Sequence, residues 1–140
     1  MLVTEENIVS MIPQKPPFVM VDALMDCCDT GSKSGFRVRS SNLFFENDHL
    51  REPALVENIA QTAAAGVGYT AHKTGQPPPV GYIGAVQNLE IFALPKEGDW
   101  LETEVNTINK VFDVTFISGS IRCNNELLAT CDMKIFISKQ

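Results

Sequence analysis

A chain of 140 residues, 44% hydrophobic and 20% charged, has an ordinary globular composition and is long enough to bury a core as one domain, 1–140. Its net charge of −6 leaves no basic patch to replace phosphate counterions, so no nucleic-acid partner is expected. The four cysteines form no CxxC pair, and with the two histidines they complete no zinc set; no metal is expected, and the thiols read as small reduced hydrophobes.

Thr4 followed by Glu5, Glu6 and Asn7 predicts a helix start, with acidic side chains at the positive end of the dipole and Ile8, Val9, Met11 and Ile12 on its apolar face. The same acidic residues break any signal-peptide pattern, so a cytoplasmic location is expected. Pro13, Pro16 and Pro17 end the helix, and Phe18 to Cys28 reads as a strand closed by the turn Asp29-Thr30-Gly31-Ser32. Gly35 to Ser40 alternates and makes a hairpin partner for it.

Ser41 to Glu52 reads as a polar loop carrying Phe44, Phe45, Asp48 and His49. Pro53 suits the first turn of a helix, and apolar residues at 55, 56, 59, 60, 63, 64 and 67 recur at helical spacing to about Lys73. At 1.5 Å per residue this helix spans roughly 30 Å. Ala60, Ala63, Ala64, Ala65, Gly66 and Gly68 keep it thin, so a sheet can approach closely. The low-charge stretch at 58–71 is too short to span a bilayer, which takes about 20 apolar residues. Gly75 and Pro77-Pro78-Pro79 stop the helix.

Four strands follow: Val80 to Leu94, Asp99 to Asn109, Val111 to Cys123 and Leu127 to Ser138, with turns at Lys96-Glu97-Gly98-Asp99, Asn109-Lys110 and Asn124-Asn125. One long helix among strands makes parallel βαβ units a poor fit. The expected class is α+β, a curled antiparallel sheet wrapped around one long central helix.

Three segments resemble a known family. Ile12-Pro13-Gln14-Lys15-Pro16-Pro17-Phe18 followed by Val21-Asp22 is similar to the Leu-Pro-His-Arg-x-Pro-Phe opening of bacterial 3-hydroxyacyl-ACP dehydratases. Glu57-Asn58-Ile59-Ala60-Gln61 resembles that family's Glu-x-x-Ala-Gln helix signature, and Gly81 to Val86 with Pro95-Lys96-Glu97-Gly98-Asp99 resembles its next strand and turn. The resemblance implies the hotdog fold, a homodimer or higher even oligomer with acyl sites at the subunit interface, and no cofactor beyond the phosphopantetheine that carries the substrate. Two features depart from the pattern. The only candidate for the family's loop histidine is His49, eight residues before Glu57, and Pro53-Ala54 stands where the family has Pro-Gly. This shortened loop resembles the dehydratase-like proteins of aryl-polyene pigment pathways.

Dehydration of a 3-hydroxyacyl thioester needs a base for the C2 proton and an acid for the leaving hydroxyl. Histidine suits the first role. A carboxylic acid in apolar surroundings suits the second. A helix N-terminus offers N–H donors to the developing enolate oxygen. The resemblance assigns the acid to Glu57 and the base to His49, with Gln61, Asn58, Pro53 and Ala54 around the substrate. Glu57 also fits a residue that merely complements the helix dipole, and His49 a surface histidine; His72 follows the helix end, where a cation is favoured. The alternatives are an acyl thioesterase, in which Glu57 activates water, or a non-catalytic hotdog subunit paired with an active homologue. The thioester partner is acyl carrier protein or CoA. Lys33, Arg37, Arg39, Lys96 and Lys110 are the candidates to meet an acidic carrier, and Phe18, Met20, Phe92 and Phe116 to set tunnel depth.

Overall fold

A computed structural model describes residues 1–138. Helix α1 (Glu5–Ile8) runs into a tight helical turn at Val9–Met11; strands β1 (Ala23–Cys28) and β2 (Gly31–Arg37) follow. A small hairpin, β3 (Phe45–Glu46) and β4 (His49–Leu50), leads into the long helix α2 (Glu52–Lys73). Strands β5 (Val80–Ile91), β6 (Trp100–Val111), β7 (Val114–Cys123) and β8 (Glu126–Ser138) complete the chain. Six strands form one antiparallel sheet in the order β1-β2-β6-β7-β8-β5, with α2 against its buried face.

The small residues set how closely these layers pack. A Cβ on Gly68 would lie 1.7 Å from the Met11 carbonyl oxygen, so only glycine lets the Val9–Met11 turn cross the helix there. On the opposite side a Cβ on Gly119 of β7 would stand 2.5 Å from the Ile59 side chain. Leu55 and Ile59 of α2 are fully buried with Leu101, Ile117, Ile121 and Met133 of the sheet. A second cluster, Ile8, Met11, Ile12, Val21, Leu24 and Ala65, fastens the N-terminal segment to the other flank of α2. This layered burial is the main stabilising term.

The main boundary differences from the sequence reading are these, beside a β5 that ends at Ile91 and not at Leu94. The predicted strand at Phe18 begins only at Ala23, because the backbone of Phe18 and Met20 bonds to side chains of α2 instead of to a neighbouring strand. Strand β2 starts at Gly31 and ends at Arg37, since Gly31 already pairs with Cys28 and the turn narrows to Asp29-Thr30. The β6–β7 turn falls at Phe112-Asp113 instead of Asn109-Lys110; Val111 pairs with Val114, and Phe112 takes the left-handed backbone (φ 55) of the tight hairpin. The predicted loop 41–52 contains the β3–β4 hairpin, turned by Asn47 and Asp48, both at positive φ.

Candidate active site

Between α2 and the sheet lies a cavity of about 1150 Å³. Glu57, Ala60, Ala63, Ala64 and Val67 wall it on the helix side, and Ile83, Ile117, Ile135 and Ile137 on the sheet side. Alanine at three of these helix positions makes the space, and the isoleucines give the sheet side an apolar stretch.

Glu57 lies half-buried on this wall, one turn into α2. Gln61, one turn further and fully buried, donates from Nε2 to Glu57 Oε2 (3.3 Å) and to the Phe18 carbonyl (2.9 Å), and accepts at Oε1 from the Met20 N–H (2.6 Å). Asn58, also fully buried, donates to the Met20 carbonyl (2.7 Å) and accepts from the Thr103 hydroxyl. Thr62 continues the buried network, donating to the Asn58 carbonyl and bonding the Ser34 hydroxyl. The Asn58 and Gln61 side chains thus hold strand β6, helix α2 and the 18–20 segment around the carboxylate.

His49 lies elsewhere. It is half-exposed on β4, with Nδ1 2.9 Å from the Asn47 carbonyl, and does not line the cavity. The structure therefore brings Glu57, Asn58 and Gln61 together and leaves His49 apart from them within one chain. Pro53 is exposed and has no N–H, and the N–H of buried Ala54 donates to the Arg51 carbonyl (3.0 Å), so neither offers a free backbone donor. His72 is exposed at the end of α2.

Of the basic candidates, Lys110 lines the cavity. Lys33 pairs with Glu104 (3.6 Å); Arg39 is held by Asp22 (3.0 Å) and Glu5 (3.1 Å) beside a smaller cavity of about 350 Å³; Arg37 lies over the Trp100 ring and donates to the Gly98 carbonyl. Sequence reading gave no role to Gln14 or Cys27, both of which line the large cavity. Their sequence positions, 43 and 30 residues before Glu57, carry no signal of that placement. Burial pushes the Cys27 thiol up from its ordinary pKa, as it does for Cys123 and Cys131, while a hydrogen bond with Thr30 pulls exposed Cys28 down. No group of three metal-ligating side chains occurs among the described residues, and no helix there is long and apolar enough to cross a membrane.

A curled antiparallel sheet closed around one helix, with the cavity between the two, defines a hotdog-fold protein. Solved structures agree: the dehydratase heterocomplex ApeI:P from Xenorhabdus doucetiae superposes with a TM-score of 0.87 at 16% identity, covering 95% of this chain and 91% of that one. The uncharacterised protein PH1136 from Pyrococcus horikoshii superposes at 0.70 and 9% identity, covering 94% and 93%. Residues 6–140 match the family model described as ApeP dehydratase, and the chain belongs to that ApeP-like family. Among curated proteins it is 27% identical to the 3-hydroxyacyl-(acyl-carrier-protein) dehydratase FabZ of Bacillus velezensis and 25% identical to that of Bacillus mycoides. Each match spans 134 residues and 87% of this chain, and covers 93% and 91% of those proteins respectively.

Proposed function

We propose that this protein removes water from a 3-hydroxyacyl chain carried on acyl carrier protein, giving the trans-2-enoyl thioester, in the cytoplasm. The observation that carries the reading is Glu57, a carboxyl held by Gln61 on a cavity wall where Ala60, Ala63 and Ala64 are its neighbours along the helix. Glu57 protonates the leaving hydroxyl at C3, and a base removes the proton from C2 as the C2=C3 bond forms. Gln61 and Asn58 act as positioning residues, since their hydrogen bonds tie the carboxylate's helix to Phe18, Met20 and Thr103. Lys110 is placed to meet the acidic carrier or the phosphate of its arm.

On the first of two readings the base is His49 of a second copy of this chain. Strand β5 pairs with β8 on one side only, and exposes Tyr82, Ile83, Val86 and Leu89. An unpaired edge of this length is a template for another strand. Tyr82 and Ile83 also line the cavity, so a chain added along β5 covers part of its wall. Pairing two copies of the chain is the first reading. The second is pairing with a different hotdog chain that supplies the base; His49 lying off the cavity wall favours it, and the structurally similar ApeI:P is a dehydratase heterocomplex.

The test supplies 3-hydroxybutyryl and crotonyl thioesters of acyl carrier protein and follows enoyl absorbance together with free thiol. Reversible enoyl formation is the expected result. Thiol release would make the protein a thioesterase, and neither signal from a well-folded dimer would leave it a subunit without its own activity.

A further inference from the structure

Resting on the dehydration reading, we infer that the tip of the β6–β7 hairpin is the surface on which the acyl carrier docks, with its arm running from there along α2 to Glu57. Phe112 at this tip takes the left-handed backbone (φ 55) that glycine or asparagine occupies at less cost, and its ring is fully exposed. Neither feature helps the chain fold, and a strained residue of this kind points to a use outside the fold. Ile108 and Val111 are exposed beside it. Strand register carries the apolar row from Val111 through Val114 to exposed Phe136. A contiguous apolar patch on a surface marks a contact site.

Charge identifies the partner. Lys33, Arg39 and Arg51 are paired with carboxylates, whereas Lys110 and Lys134 pair with none among the described residues. Against Asp113, the tip's own carboxylate, these two lysines leave a local positive surplus on a chain of net charge −6. An acidic carrier is repelled by the chain as a whole and attracted at this end. A strand added along β5 leaves the tip open, because β8 stands between β5 and the hairpin.

Length connects the tip to the carboxyl. Asn58 bonds Thr103 of β6, and Thr62 bonds Ser34 and Ser32 of β2, whose partners are Thr103 and Val105, so α2 and β6 advance in the same direction. From Thr103 to Lys110, with the bulge at Ile108 taking up one residue, β6 advances about 20 Å at 3.3 Å per residue. From Glu57 to Thr74, α2 advances about 25 Å at 1.5 Å per residue. Lys110 and Thr74 both line the cavity, which is therefore a trough with Glu57 toward one end and Lys110 at the other. An extended phosphopantetheine arm spans roughly 20 Å from its phosphorus to C3 of the acyl group, at 3.6 Å for every three bonds of an extended main chain. With the phosphate at Lys110, C3 comes level with Glu57.

The test measures dissociation constants, without turnover, for 3-hydroxybutyryl amide analogues (nitrogen in place of the thioester sulfur) on pantetheine, on phosphopantetheine and on acyl carrier protein. Wild-type protein is expected to bind the carrier-borne analogue most tightly. In Phe112→Asn, which suits the turn and removes the ring, the preference for carrier over free phosphopantetheine is expected to fall about tenfold. Phe112→Gly suits the same backbone and covers the case in which the asparagine variant misfolds. In Lys110→Gln the preference for phosphopantetheine over pantetheine is expected to fall about fivefold. Unchanged preferences in folded variants overturn the inference. So does equal weakening of all three analogues in Lys110→Gln, which would put the acyl end of the substrate at the tip in place of the phosphate. Dehydration by wild-type protein is assayed beside it, so that failure of the Glu57 reading shows as absent enoyl product whatever the binding ratios.

Discussion

The wall around Glu57 and the hairpin around His49 are built in opposite ways. Glu57 is held through Gln61, and the side chains behind it, Asn58, Gln61 and Thr62, are fully buried and bonded to segments that lie from 28 to 45 residues away in sequence. His49 sits on a two-residue strand and makes one local bond, to Asn47 two residues earlier. One chain therefore fixes the Glu57 carboxyl through its own buried side chains, and leaves the His49 ring with a single local bond. A network of satisfied buried polar groups is rigid and specific; a lone hairpin bond at the surface is neither.

That contrast can be broken by substitution. Glu57→Gln removes the carboxyl and keeps the shape, and is expected to lower turnover by about 10²- to 10⁴-fold with the thermal midpoint nearly unchanged. His49→Ala is expected to lose activity on a similar scale while stability shifts by less than about 0.5 kcal/mol, as for a surface residue. If the two residues work across a subunit boundary, mixing these two inactive variants restores part of the activity; a mixture that forms mixed dimers and stays inactive would place both in one chain or remove His49 from the chemistry.

Asn58→Leu attacks the support instead of the carboxyl itself. It strands the Met20 carbonyl and the Thr103 hydroxyl in the interior, at a cost of about 1–3 kcal/mol for each group left unpaired. Urea unfolding should show the loss, and activity should fall further than stability alone explains, because the carboxylate's helix loosens.

The smallest effect concerns two adjacent thiols that repeat the contrast. Cys27 turns inward against the Gly66 carbonyl (3.5 Å), and Cys28 faces solvent beside the Thr30 hydroxyl (3.3 Å). Burial raises the Cys27 pKa and hydrogen bonding lowers that of Cys28, so at a given pH more of Cys28 is thiolate. Iodoacetamide labelling followed by peptide mapping should modify Cys28 first, and its rate should begin to rise at lower pH than that of Cys27. Equal rates would mean that the cover over Cys27 opens readily.

The sequence made the long helix and the last four strands legible because each is a periodic pattern of ten or more residues, with alanine and glycine marking where the layers approach. The segment Phe18–Val21 was not legible: its Phe-Val-Met-Val run has the composition of a strand, but its partners are the side chains of Asn58 and Gln61, which no local pattern encodes. Asn109-Lys110 looked like a better turn than Phe112-Asp113, yet cross-strand register moved the hairpin tip outward to the fully exposed Phe112. At the site, the spacing of Glu57 and Gln61 on one helix face could be read directly. The arrival of Thr103 beside that helix depends on tertiary contacts and strand order, and could not.

The most direct measurement is the rate at which purified protein converts 3-hydroxybutyryl thioester of acyl carrier protein to the enoyl product, in the wild type and in Glu57→Gln at matched folding and assembly. Wild-type turnover with a loss of at least about 100-fold in the variant is expected if this carboxyl delivers the proton. Equal rates in the two proteins would contradict it and move the chemistry away from the helix wall.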